Sequence, residues 1–291
     1  MSTKNAPAGP FRHVVPLGTA ESSPSFEGAA KRKPWHYKVT ACIPHLDTIE
    51  PLKMCIELLR AQSERPFIMV IDTGSPPDVC EQLELLRSDD LEIHYIRSHG
   101  WTHPSEAVTA AMDLTQTLCR TEWIFHTHSD CFLRRNDLLE NWMRICNPNT
   151  PVVGYRMSPR DWLTKEWEWM VGHTALMCYM PTIHRVGATW AIRRGHYACQ
   201  LPLHSNAGWP DTECAWNFAI RDAGIKPVFL GFDRNHERCV DDNLDHVRSF
   251  PGSKVYSEPH HKTAIGWMND ALREAGERLR LWRERACNSL G

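Results

Sequence analysis

Three side chains able to hold a metal ion fall within five residues of each other: His126, His128 and Asp130, in the run from Glu122 to Asp130. The run opens with Glu-Trp-Ile-Phe, which reads as a strand, so the polar residues gather at its carboxyl end. Imidazole is a poor ligand for magnesium and an acceptable one for manganese or a later transition metal. A divalent cation at this place is therefore expected to be Mn2+ before Mg2+. The plainer alternative is a strand whose two histidines simply hydrogen-bond their neighbours. A second acidic pair, Asp211 and Glu213, opens an amphipathic stretch that ends at Gly224. There the plain alternative is strong, because Asp at an N-cap and Glu in the first turn are ordinary helix-start residues.

These residues need a scaffold, and the chain supplies one by alternation. Strand patterns at 37–43, 67–72, 91–97 and 122–127 alternate with helical patterns at 49–61, 77–87, 105–118 and 136–145. That order predicts an α/β domain with a mostly parallel central sheet flanked by helices. Ligands of such sheets collect outside the carboxyl ends of the strands. Pro44, His45 and Asp47 on one side, and Asp72, Gly74 and Ser75 on the other, are thus expected together at the mouth of a site. Farther on, the pattern predicts strands at 151–155, 186–193 and 225–230 and a helix at 212–223 capped by Asp211 and Gly224.

Composition sets the limits. The 291 residues are 42% hydrophobic and 23% charged, with a net charge of -2, as in a soluble globular protein and with no argument for a nucleic-acid partner. No apolar run has the length of a membrane span, and no signal peptide is visible. Eleven cysteines without a Cys-x-x-Cys pair suit buried free thiols in a reducing compartment, so a cytoplasmic location is expected. Residues 1–34, rich in Pro, Gly, Ala and Ser, read as a disordered arm, 35–262 as the main domain and 263–291 as an amphipathic helix with a tail. That helix has two readings. Its apolar stripe and arginines could lie on an anionic membrane, or the stripe could pack on its own domain with a solvated basic face, which is the more common case.

The order of these features resembles the inverting GT-A-type glycosyltransferases of the family 2 kind. The resemblance is carried by Pro44 to Asp47 after the first strand, Asp72-Thr-Gly-Ser75 after the second, and His128-Ser-Asp130 where that family places an Asp-x-Asp metal motif. It implies transfer of a sugar from a nucleoside diphosphate sugar to an unknown acceptor on a glycan, a lipid carrier or a protein, with inversion. By the same resemblance, Pro44, His45, Asp47, Asp72, Gly74, Ser75 and Gly100 face the nucleotide. Gly187 to Arg194, with Arg193 and Arg194, lines the sugar pocket together with Trp209. His128 and Asp130 hold the cation with a late histidine, for which His236 is best placed by its distance from Gly224, ahead of His246 and His260. Asp211 or Glu213 acts as general base. The residue types around the pair favour Asp211, and the distance to Gly224 favours Glu213.

Two rival classes remain at this stage. The run His126-x-His128-x-Asp130, with Asp72 to Gly74 upstream, resembles the metal-binding start of metallo-β-lactamase-type zinc hydrolases. That family continues with a histidine after the Asp, and this chain has Cys131. The other rival is a GT-A-shaped nucleotide-binding module without activity, suggested by His128 standing where the family has Asp.

Overall fold

The computed structural model describes residues 36–96, 104–157, 169–190, 214–233, 238–247 and 258–288. The chain runs β1 (Val39–His45), α1 (Ile49–Arg60), β2 (Phe67–Asp72), α2 (Pro77–Glu84), β3 (Leu91–Tyr95), α3 (Pro104–Leu118), β4 (Trp123–Thr127), β5 (Cys131–Leu133) and α4 (Leu138–Ile145). It continues through β6 (Val152–Met157), β7 (Val171–Tyr179), α5 (Met180–Val186), α6 (Cys214–Asp222), β8 (Val228–Asp233), β9 (Arg238–Val240), β10 (Leu244–Val247) and α7 (Glu258–Asn288).

Seven strands form the main sheet in the order β3-β2-β1-β4-β7-β6-β8. β1 pairs in parallel with β2 and β4, and β2 with β3. Only β7 runs against its neighbours, β4 and β6. All six residues of β2 are buried, and β1 is nearly as closed, as expected of central strands covered on both faces. One face packs against α1, α4 and α7, through Leu52, Leu59, Trp142, Met268 and Ala271 among others. The opposite face packs against α3, α5 and α6, through Met112, Ile183, Trp216 and Ile220. A small antiparallel sheet, β5-β10-β9, is attached where β4 ends.

The second half departs from the sequence pattern in several places. β7, β9 and β10 have no counterpart among the expected strands. Residues 186–190 do not extend as a strand: Val186 ends α5, Gly187 caps it at φ 65°, and Ala188 to Trp190 are irregular. A backbone at that φ suits glycine, and Pro181 in the first turn of α5 with Gly187 just past its end is the usual helix punctuation. The strand expected at 225–230 starts at Val228, because Gly224, at φ 75°, and Ile225 still close the end of α6, with Ile225 N–H bonded to Ile220 O at 2.9 Å.

α7 settles the use of its apolar stripe. Ala264, Met268, Ala271, Ala275, Leu279 and Trp282 are buried, and the helix packs on α1, β5 and β10. The face that a membrane-lying helix would insert is spent on the domain's own core. No described helix is long and apolar enough to cross a membrane. Every described cysteine is a free thiol, and all but Cys80, Cys239 and Cys287 are buried. The arm at 1–34 lies outside the described residues.

Candidate active site

The parallel register of β1 and β2 sets His45 opposite Asp72. Their side chains meet, with His45 Nδ1 3.0 Å from Asp72 Oδ2. An ionised carboxylate can only accept, so Nδ1 carries the hydrogen. Asp72 Oδ1 accepts the backbone N–H groups of Gly74 and Ser75, each at 3.0 Å, and Oδ2 also accepts Ser75 Oγ at 2.5 Å. Four donors therefore fill the roughly four acceptor positions of one carboxylate. Burial pushes Asp72 toward protonation, but the bonds from His45, Ser75 and the loop backbone outweigh it and hold the carboxyl below its ordinary value. Asp47 N–H donates to Ser75 Oγ at 2.9 Å, and Thr73 N–H to His45 O at 3.0 Å, so the two expected turns do lie side by side. Asp47 reaches this contact with φ at 61°, a left-handed conformation that Asp tolerates better than most residues.

Two strands away, β4 ends at Thr127 and the chain turns through Asp130 into β5. Cys131 N–H closes the turn on His128 O at 3.2 Å. β10 then pairs with β5, placing His246 opposite Cys131, and Val247 N–H bonds to Asp130 O at 3.0 Å. The pairing carries His246 to Asp130. His246 Nε2 lies 3.6 Å from Asp130 Oδ1, and His128 Nδ1 lies 3.9 Å from the same oxygen. One ligand atom from each of the three residues falls within 4.8 Å of the others. Ligand bonds of about 2.0 to 2.2 Å put neighbouring ligand atoms roughly 3 Å apart and opposed ones roughly 4 Å apart. Small side-chain movements would therefore close this set around a divalent cation. Burial works to raise Asp130, yet His246 and His128 more than offset it, and the carboxyl is held below its usual range. Thr48 Oγ1 and Ser129 Oγ, 3.1 Å apart, tie this turn to the start of α1 and so to the His45–Asp72 side.

His126 does not join the cluster. It lies one step deeper in β4 and is fully enclosed, with its ring 5.6 Å from that of Trp190. Burial, with His173 nearby, lowers its pKa to about 3, so it is neutral. The three side chains of the His-x-His-x-Asp run are therefore not one ligand set, as a hydrolase of the metallo-β-lactamase type requires.

An aromatic wall flanks the cluster. His173 of β7 faces His128, with ring centroids 4.5 Å apart, and Trp190 stacks on Trp216 of α6 at 4.8 Å and 12°. α3 fixes Trp190: Asp113 accepts Trp190 N–H at 2.7 Å and Thr189 Oγ1 at 2.8 Å. Trp216 lies in the first turn of α6, so the stack anchors the start of α6 to the side of the sheet that bears His126. Sequence reasoning missed His173, Asp113 and the Trp190–Trp216 pair. Only Trp190 had a signal, its place in the stretch from Gly187 to Arg194. Gly100, Arg193, Arg194, Trp209, Asp211, Glu213 and His236 lie outside the described residues. So does the side chain of His260, and His246 is the late histidine that the structure brings to Asp130.

The model of the family described as glycosyl transferase family 2 matches residues 40–200, more than half of the chain. No curated protein matches it. Among solved structures, S. aureus TarS 1-349 in complex with UDP-GlcNAc is 11% identical at a TM-score of 0.41, covering 53% of this chain and 48% of that one. This chain thus spans about half the length of that relative. The mannosyltransferase PcManGT from Pyrobaculum calidifontis, in complex with GDP-Man and Mn2+, is 13% identical at a TM-score of 0.46, covering 88% of this chain and 79% of that one.

Proposed function

The chain belongs to glycosyl transferase family 2 and is a glycosyltransferase, and from that premise we propose that it moves a sugar, with inversion and with a divalent cation, from a nucleoside diphosphate sugar to an acceptor hydroxyl. The nucleoside lies against Pro44 to Asp47 and Asp72 to Ser75. The diphosphate lies at the turn from His128 to Asp130. His128, Asp130 and His246 hold the cation, manganese in preference to magnesium. The observation that carries this reading is the meeting of those three side chains at the carboxyl end of β4, tied through Thr48 and Ser129 to the His45–Asp72 pair.

When bound, the cation supplies positive charge against the diphosphate as it leaves. The remaining work falls to the chain's own groups. Asp211 or Glu213, directly ahead of α6, takes the proton of the acceptor hydroxyl. The acceptor oxygen bonds to the anomeric carbon from one face. The bond from that carbon to the diphosphate oxygen breaks on the other face, and its electron pair stays with the diphosphate. The configuration therefore inverts. Asp72 acts here by shape, since its four acceptor positions are filled within the protein and it holds His45 and the Gly74–Ser75 backbone in place. The acceptor is a glycan, a lipid-linked sugar or a protein. The buried free thiols support a reducing, cytoplasmic setting.

The test is thermal stability in the presence of UDP or GDP, with and without Mn2+. A ligand that binds the folded state raises the midpoint by mass action. The expected result is a rise that requires the cation. An equal rise in excess chelator would remove the cation from the reading. For the base, Asp211→Asn and Glu213→Gln separate the two candidates: the one that acts loses turnover and keeps donor affinity.

A further inference from the structure

Behind the cation cluster lies a buried ion-pair network that the proposed chemistry does not use. Asp245 precedes His246 on β10 and is fully enclosed. Adjacent residues of a strand point to opposite faces, so Asp245 looks away from Asp130. It meets Arg238 of β9, whose Nε and Nη2 donate to its two oxygens at 2.8 and 2.6 Å. The same guanidinium reaches Glu274 of α7, with Nη2 2.8 Å from Oε2 and Nη1 3.4 Å from Oε1. Arg278 lies one helical turn beyond Glu274, and its Nε and Nη2 are buried with no acceptor among the described residues. Arg134 adds a third positive charge nearby. Of these three guanidinium groups, Arg238 is the one that bonds both carboxylates.

Such a network tolerates little displacement. A buried carboxylate that loses its partner is left charged in a dry place, which is far more costly than the intact pair is favourable. The strands of the small sheet are short, three residues in β5 and β9 and four in β10, and beside their apolar contacts with the core this network is a directional tie to α7. If β9 and β10 lifted from α7, the bonds of Arg238 to Glu274 would break. The pairing with β5 sets the register of β10, and α7, through Glu274 and Arg238, braces its depth from behind. The depth of β10 also sets how far His246 reaches toward Asp130.

We propose that Arg238, Asp245 and Glu274 are positioning residues for the cation site: they fasten β10 to the C-terminal helix and so hold His246 within ligand distance of Asp130. The proposal rests on the reading of His128, Asp130 and His246 as that site. The competing view is that the network only keeps α7 on the domain. That view predicts lower stability with unchanged cation affinity.

The experiment measures Mn2+ affinity of the full chain by titration followed by electron paramagnetic resonance, well below the unfolding temperature, with the thermal midpoint recorded alongside. The variants are Asp245→Asn, Arg238→Met, Arg238→Lys, Glu274→Gln, His246→Ala and, as a control on the exposed side of α7, Arg280→Ala. Residues that orient metal ligands typically cost 10- to 100-fold in affinity when changed. Asp245→Asn and Arg238→Met are expected to weaken Mn2+ binding by about tenfold or more. Glu274→Gln should weaken it less, Arg238→Lys should recover part of the loss, and Arg280→Ala should stay within about twofold of the parent. Mn2+ binding that His246→Ala leaves intact removes the site reading, and the proposal falls with it. Binding lost in His246→Ala but unchanged in Asp245→Asn and Glu274→Gln overturns the proposal alone. If the buried substitutions do not fold, the half-exposed Glu274→Gln decides: parental affinity in that variant overturns the brace.

Discussion

At the ends of β1 and β2, Asp72 accepts four hydrogen bonds at 2.5 to 3.0 Å, and the two turns are joined through Asp47 and Ser75. At the ends of β4 and β10, Asp130 stands 3.6 and 3.9 Å from its two histidines, with His128 and Asp130 partly open. The first side is closed by its own hydrogen bonds. The second is a set of metal-competent atoms with a wider gap between them, brought together by the pairing of β5 with β10. One half of the site is prebuilt, and in the proposed reading a cation would draw the other together.

The comparison can be broken at several points. The largest effect is expected for Asp130→Ala, because Asp130 is the only carboxylate of the cluster. Titration with UDP in the presence of Mn2+ should show about 100-fold weaker binding, while any cation-independent binding at the β1–β2 side persists. Parental affinity would mean that the gap is not a metal site.

Asp72→Asn attacks the prebuilt side. It replaces a charged acceptor of four bonds by an amide that cannot serve them all, at a cost of about 2 to 3 kcal/mol in chemical denaturation. The pH dependence has a definite sign. Asp72 is held below its ordinary value, so its contribution is complete above about pH 4 and is lost as the pH falls through the lower, folded value. The Asn variant should lack that part of the acid sensitivity. An unchanged acid limb would contradict the four-bond account.

Asp47 gives a smaller test, since its left-handed backbone favours Gly or Asn over residues with a plain Cβ. Asp47→Ala should cost about 1 kcal/mol, and Asp47→Gly clearly less. The smallest effect belongs to His126→Gln, which should leave Mn2+ affinity within about twofold of the parent, because that ring packs on Trp190 outside the cluster. A loss as large as that of Asp130→Ala would restore the run 126–130 as one ligand set.

The sequence was most legible where neighbours in the chain are neighbours in space. The run from Val39 to Ser75 builds a strand, a helix and a parallel strand, and its periodicity places Pro44–Asp47 beside Asp72–Ser75 without long-range information. His246 shows the opposite case. Counting residues from Gly224 favours His236, which lies outside the described residues, whereas what brings His246 to Asp130 is the antiparallel pairing of β10 with β5, a contact between residues more than a hundred positions apart. β7 was missed because Val171-Gly-His-Thr-Ala-Leu-Met-Cys-Tyr179 is closed on both faces at the middle of the sheet and shows no alternation. The apolar stretch after Val186 has the composition of a strand, but Pro181 and Gly187 punctuate a short helix that ends where that strand would begin.

The central claim is that His128, Asp130 and His246 form one cation site. Pulsed electron paramagnetic resonance of Mn2+ bound with UDP tests it most directly, because it reads the nitrogen nuclei coupled to the ion. The account predicts two imidazole nitrogens in the parent protein, one in His128→Ala and one in His246→Ala, with His126→Gln unchanged at two. Bound Mn2+ without nitrogen coupling, or with coupling that survives the loss of both His128 and His246, would contradict it.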